Sequence, residues 1–325
     1  MKAVKVVDKK LIITKANKPV PRDNEILIKI KAAGLNRADI AQKNGLYPPP
    51  PGASEVLGLE CSGVVERVGK EVKSKKPGDE VMALLGGGGY AEYVSCHEFH
   101  AINKPKNLNW IEAASIPEVY ATCWLNLFLE ASMQQGDKVV FHAGASGIGT
   151  AGIQLANVFD CESFVTASTE EKIKFCLNLG ASDGEIRSND IFSKIKEWAP
   201  GGVNIILDPV GGEYFERNLD VLSVEGKLII IGLMGGAKAN LNLGLLMVKR
   251  QKIIGSTIRA RSNETKNIVM QELSEKVIPL FESGTLKPII HETFYFSECN
   301  QAQEMMEANE LSLIHISEPT RPALI

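Results

Sequence analysis

The stretch from Lys138 to Ala156 constrains this chain more than any other, because an apolar run passes through glycines directly into a helical pattern. Lys138-Val-Val-Phe-His142 is β-type, and Gly144, Gly147 and Gly149 then let the backbone bend tightly. Ile148, Ile153, Leu155 and Ala156 give the helix that follows an apolar face to lay on a sheet. Gly147, Gly149 and Gly152 match Gly-x-Gly-x-x-Gly. That motif is weak alone and stronger here, because a Gln135-Gly136-Asp137 turn leads into the strand. The free N–H groups of a helix start favour negative charge, so the segment reads as a turn for a dinucleotide pyrophosphate. The competing reading is a glycine-rich strand-to-helix turn that binds nothing.

A chain of 325 residues has room for two domains with a core in each. Thirty-six basic residues against 39 acidic ones leave a net charge of −3, so no general field draws the protein to nucleic acid. The basic run Lys73–Lys76 precedes a Pro-Gly-Asp turn and reads as a solvated loop. No apolar run reaches membrane-spanning length, and Met1–Val7 enters a strand without a signal-peptide pattern, which points to a cytoplasmic protein with no membrane partner. Six cysteines form no Cys-x-x-Cys pair and are expected as free thiols. Cys61, Cys96, His97 and His100 do not have zinc-ligand spacing.

From Met1 to about Ile116 short β-type segments alternate with Gly, Pro and Asn: Lys2–Val7, Glu25–Ala32, Cys61–Val68, Glu80–Leu84 and Tyr90–Ser95. After Pro117 apolar strands alternate with amphipathic helices: Val139–Ala143 then Ile148–Asp160, Ser163–Ala167 then Glu170–Leu179, Ile205–Asp208, and Lys227–Ile231. The fold class expected is α/β, a β-rich domain plus a doubly wound parallel sheet. Helices from about Lys266 to Ser283 and Glu298 to Asn309 close the pattern, too short a tail for an independent core. The division expected is 1–118 with 259–310, and 119–258.

Seven segments in order resemble the zinc-independent quinone oxidoreductases of the medium-chain dehydrogenase/reductase superfamily, most closely the p53-inducible type. They are Ala33–Ile40, Gly45–Ser54, Leu57–Gly63, Ala83–Gly89, Ala114–Glu118, His142–Thr150 and Gly232–Gly236. The resemblance implies a GroES-like catalytic domain and a Rossmann domain, an active site in the cleft between them, and a homodimer. Zinc-dependent relatives carry Cys where Asn36 stands and His in the Gly-His-Glu segment that here reads Gly58-Leu59-Glu60. An amide and an aliphatic chain cannot replace a thiolate and an imidazole, so no metal site is expected. Hydride addition to an electron-poor quinone or enone needs only positioning and a proton source.

By the same resemblance, Tyr47 in the Tyr47–Pro51 loop stands at the mouth of the substrate cleft, where its hydroxyl bonds or protonates a quinone oxygen; the alternative is a tyrosine that packs its loop. Asn36 orients the same oxygen or the nicotinamide ribose, or is a turn amide bonded to its own backbone. Gly144, Ser146, Gly147, Ile148 and Gly149 are expected at the cofactor. Gly211, after the strand ending at Asp208, and Gly232, Leu233 and Met234 border the nicotinamide, against a reading as ordinary loop punctuation. Arg259 and Arg261 resemble the family's basic pair near the cofactor; a solvated loop is the alternative.

Cofactor choice turns on Ser163–Ser168, which ends without the carboxylate that normally holds a ribose 2′-OH. A carboxylate would repel a 2′-phosphate, so its absence favours NADPH over NADH, with Ser168, Lys172 and Arg187 around the phosphate or adenine. Glu170 and Glu171 oppose this, and Ser168 with Glu171 reads equally as a capping box.

Leu311–Arg321 looks like the translation of a transposase adapter used in preparing sequencing libraries, so 311–325 is expected to be non-native. The alternative is a divergent tail in which Leu311, Leu313 and His315 alternate as a strand. The activity expected is NADPH-dependent quinone reduction. Alternatives are reduction of activated C=C bonds in alkenals or enones, and a non-catalytic NADPH- or RNA-binding role.

Overall fold

The computed structural model describes residues 1–308 and the backbone of 314–318. The chain divides into two compact units, 1–121 with 258–325, and 122–257. The other residues of the suspect tail lie outside the described residues.

The first unit opens with an antiparallel pair, β1 (Lys2–Val7) and β2 (Lys10–Lys15). Its main sheet holds β3 (Glu25–Leu35), β4 (Glu60–Val68), β5 (Glu80–Leu84), β6 (Tyr93–His97) and β7 (Ala101–Asn103). In the second unit follow β8 (Lys138–Phe141), β9 (Glu162–Ala167), β10 (Asp183–Ile186), β11 (Val203–Asp208), β12 (Leu222–Ile230) and β13 (Lys252–Gly255). The chain then returns to the first sheet through β14 (Ile290–Tyr295) and β15 (Ile314–Glu318).

The first sheet runs β14-β15-β3-β4-β5-β7, with β6 also paired to β3. Alternating side chains of β3 and its neighbours, among them Ile26, Ile28, Ile30, Val81 and Ala83, form its core. Register places Ala33 of β3 opposite Cys61 of β4, which brings the residues after β3 level with the start of β4. The backbone of 314–318 pairs parallel with β14 and antiparallel with Ala33–Leu35.

The second unit is the doubly wound α/β sheet expected, six parallel strands in the order β10-β9-β8-β11-β12-β13. Its middle strands are apolar along their length because helices cover both faces, as Val139, Val140, Phe141, Ile205, Ile206 and Leu207 are all buried. The connection after β8 leads to β9 on one side, while β11 leads to β12 on the other. The crevice between β8 and β11 is therefore the switch point where ligands of such sheets collect.

Several elements escape the sequence reading. Strands β2, β7, β10, β13 and β14 are short, edge-lying or mostly polar. The expected helix 266–283 is instead Asn263–Glu272, a π-helical turn Leu273–Val277, and Ile278–Glu282. Pro279 cannot donate to the carbonyl four residues back, so a regular ladder cannot pass through it.

Candidate active site

In the second unit the chain leaves β8 at His142 and turns through Ala143, which takes a left-handed φ of 56°. Gly144 N–H then donates to Thr166 carbonyl at 2.8 Å. A Cβ on Gly144 would meet Val165 of β9 at 2.6 Å, and one on Gly152 would strike the Phe141 ring at 2.5 Å. One on Gly149 would press onto the carbonyl of Gly144. Each glycine permits a close approach: turn to strand, helix to turn, and helix to strand. Ser146 caps the helix Gly147–Val158, its Oγ accepting from Gly149 N–H at 3.2 Å. Among the described residues, no acceptor meets the N–H groups of Gly147 and Ile148. The structure thus joins Gly144, Ser146, Gly147, Ile148 and Gly149 into one donor-lined bend whose helix dipole favours an anion.

The switch point is crossed by a buried polar chain. His142 Nε2 lies 2.8 Å from Asn218 Oδ1, and Nδ1 lies 3.2 Å from Thr166 Oγ1. Asn218 Nδ2 donates to Asp208 Oδ2 at 3.0 Å, while Asp208 Oδ1 accepts from Val210 and Gly211 N–H at 2.6 and 3.1 Å. Burial lowers the pKa of His142 and raises that of Asp208. Sequence reasoning missed Asn218 and Thr166, whose roles appear only once helix and strand ends converge.

The loop after Asp208 is zipped to the one after β12. Met234 N–H donates to Pro209 carbonyl at 3.2 Å, Gly235 N–H to Val210 at 2.7 Å, and Gly212 N–H to Gly236 at 2.8 Å. Gly211, at φ 80°, sits so close that a Cβ would lie 2.9 Å from Gly236 carbonyl; one on Gly232 would lie 2.7 Å from Pro209 carbonyl. A cavity of about 180 Å³ opens here, lined by Gly211, Gly212, Phe215, Ile230 and Leu233 among others. Gly211, Gly232, Leu233 and Met234 are therefore neighbours, with Leu233 and Met234 exposed.

At the end of β9 stands exposed Ser168, and Arg187 N–H donates to the adjoining Ala167 carbonyl at 2.8 Å, so Arg187 lies beside it. The capping box of Ser168 with Glu171 is not formed. Thr169 caps the helix Glu170–Asn178, its hydroxyl accepting from Lys172 N–H at 3.3 Å. Thr169 wins because it directly precedes the helix and leaves Ser168 one residue outside.

In the first unit Asn36 follows β3 and is nearly buried. Its Nδ2 donates to Glu60 Oε1 at 2.9 Å, and its backbone N–H to Asp39 Oδ2 at 2.9 Å. The side chain thus reaches across the sheet to a carboxyl on the neighbouring strand. Glu60 also accepts from Glu118 N–H at 2.9 Å, and the absence of a side chain at Gly34 makes its space. Burial, with Glu118 nearby, pushes the Glu60 pKa up to about 8, against its two donors. Asp39 accepts from Gly58 N–H at 2.8 Å and Tyr90 OH at 3.2 Å; burial raises its pKa to about 6.

Tyr47 is half-buried. Beneath it Arg259, only 3% exposed, donates from Nε to Gly86 carbonyl at 2.8 Å, from NH1 to Tyr47 carbonyl at 3.3 Å and from NH2 to Gln42 Oε1 at 2.7 Å. The solvated-loop alternative for Arg259 fails, because three acceptors and a ring hold its guanidinium. Arg261 is partly buried in the same unit.

Zinc ligands do not fit here. Asn36 supplies an amide, bonded to Glu60, where a thiolate would be needed, Leu59 is a buried aliphatic chain, and no group of three or more His, Cys, Asp or Glu among the described residues could hold a metal. No helix among them is long and apolar enough to cross a membrane.

The family model for a zinc-binding dehydrogenase matches residues 147–275, and that for an alcohol dehydrogenase GroES-like domain matches 22–106. The chain is 31% identical over 288 residues to a quinone oxidoreductase-like protein 2 homolog of Nematostella vectensis, covering 87% of this chain and 78% of that protein. An Escherichia coli quinone oxidoreductase complexed with NADPH superposes with a TM-score of 0.87 at 26% identity, covering 98% of this chain and 99% of that one. The JamJ enoyl reductase in its apo form gives a TM-score of 0.87 at 26% identity over 98% of each chain.

Proposed function

This chain belongs to the medium-chain dehydrogenase/reductase superfamily, and on that premise we propose that it reduces quinones with hydride from NADPH, without zinc, as a cytoplasmic homodimer nearest the p53-inducible type. The observation that carries the reading is the pairing of a donor-lined glycine bend with an amide, Asn36, at the place where zinc-dependent relatives keep a thiolate.

A bound NADPH would supply the hydride. The residues proposed to hold it are Gly144, Ser146, Gly147, Ile148 and Gly149 at the pyrophosphate, and Gly211, Gly232, Leu233 and Met234 beside the nicotinamide. Ser168, Lys172 and Arg187 are proposed around the adenosine 2′-phosphate. Exposed Ser168 at the end of β9, with Arg187 beside it, favours a phosphate over a bare hydroxyl. Tyr47 donates a hydrogen bond or a proton to the quinone oxygen, and Asn36 orients that oxygen. Arg261 is kept as a cofactor contact, whereas Arg259 acts through Tyr47.

Likeness to an enoyl reductase favours a second reading, reduction of an activated C=C bond with the proton delivered at the α-carbon. Purified protein is tested anaerobically for NADPH and NADH consumption against an ortho-quinone and an enone, with Tyr47→Phe alongside. Quinone-dependent NADPH loss that falls in the variant supports the first reading, and enone-dependent loss alone supports the second. NADPH binding without turnover would leave a binding protein.

A further inference from the structure

The polar chain across the switch point can be followed one proton at a time. Asn218 Oδ1 can only accept, so His142 carries its proton on Nε2, 2.8 Å away, and Nδ1 is left as an acceptor. Thr166 hydroxyl fills that need at 3.2 Å, and its oxygen in turn accepts from Ala143 N–H at 3.3 Å. At the other end Asn218 Nδ2 donates to Asp208, whose second oxygen takes Val210 and Gly211 N–H. Every group in the series has one role, and the series runs from the backbone of the glycine bend to the backbone of the Gly211 loop.

We propose that Thr166, His142 and Asn218 are positioning residues for the dinucleotide, holding the glycine bend and the Gly211 loop in one arrangement so that a ligand spanning both finds them set. This rests on the cofactor reading above and deepens it. The chain's middle members are buried, so water cannot replace a lost link cheaply, and breaking any link releases the same constraint. The ring of His142 is also gripped edge-to-face by Tyr214, centroids 4.9 Å apart, which keeps it from turning. Neutral His142, favoured by burial, is the form the series requires.

Thr166→Val removes the hydroxyl at nearly constant volume, and Thr166→Ser restores it. Dissociation constants are measured for NADPH, by nicotinamide fluorescence, and for 2′,5′-ADP, which lacks the nicotinamide half. Thr166→Val is expected to weaken NADPH about tenfold and 2′,5′-ADP less than about threefold, with Thr166→Ser within about twofold of wild type. Asn218→Ala gives a similar loss, and the double variant is no worse than the weaker single one, whereas independent sites would multiply to about a hundredfold. Equal losses for both ligands, no rescue by serine, or multiplied effects would overturn the proposal. Should Asn218→Ala fail to fold, the valine and serine variants decide alone. Wild type that binds neither NADPH nor NADH refutes the cofactor reading itself, while wild-type affinity in Thr166→Val refutes only this inference.

Discussion

Arg259 places its guanidinium carbon 5.2 Å from the centroid of the Tyr47 ring while donating to the carbonyl of the same residue. The cation therefore holds Tyr47 by both backbone and ring, and Gln42 and Gly86 hold the cation. Lysine keeps the charge and loses the planar fork that makes these bonds together. Arg259→Lys is expected to lower quinone kcat/KM about tenfold, to cost about 2 kcal/mol of stability, and to leave the NADPH dissociation constant within about twofold. A tenfold weaker NADPH complex would show instead that Arg259 serves the cofactor directly.

Glu60 gives a pH signature. Its folded pKa, about 8, is above the ordinary carboxyl value of 4.5, so the native state binds a proton that the unfolded chain releases. Stability from this group is thus present at pH 4.5 and is lost as pH rises through about 8. Between about pH 6 and 9 the loss is on the order of 3 kcal/mol for so buried a group. Glu60→Gln stays neutral, and Asn36 can rotate its amide to accept from the new donor. Denaturant titrations should show wild type falling across that window and Glu60→Gln nearly flat. Parallel curves would exclude Glu60 as the source.

The doubly wound sheet was legible because β8, β9 and β11 are apolar enough to be buried on both faces and because glycines mark the turn after β8. The polar edge strand Asp183–Ile186 carries no such signal, since none of its residues is fully buried. Sequence pattern alone does not mark the carboxyls of Asp39 and Glu60 as buried, which the structure shows them to be. Only the register of β3 against β4 puts Glu60 under Asn36, and only Gly34 gives it room. Asn218 was hidden for the same reason: its partners His142 and Asp208 are 76 and 10 residues away, and the strand order alone brings them together.

Asn36, bonded to Glu60, and the buried Leu59 offer neither a thiolate nor an imidazole where the resemblance puts the zinc ligands of zinc-dependent dehydrogenases. If the zinc-free reading holds, turnover with a quinone should survive dialysis against a chelator with less than about a tenth lost, because neither folding nor catalysis would then draw on metal binding. Elemental analysis should find zinc far below one per chain. Activity that disappears on chelation and returns with added zinc would contradict the reading of Asn36.

Gly149 sets helix propensity against packing. Alanine is the better helix former by about 1 kcal/mol, but its Cβ at this position would press onto the carbonyl of Gly144, a backbone atom that cannot swing away. Overpacking costs about 1 to 3 kcal/mol, and contact with three backbone atoms of Gly144 puts this case toward the upper end, so the clash wins and the bend must open. Gly149→Ala is expected to destabilise the fold modestly and to weaken NADPH more than about tenfold by shifting the N–H groups of Gly147 and Ile148. Gly136→Ala separates strain from binding: this glycine has φ 86° and open space around it. It should cost about 1 kcal/mol in stability and leave NADPH affinity unchanged. If both variants weaken NADPH alike, the glycine bend is not the site of the pyrophosphate.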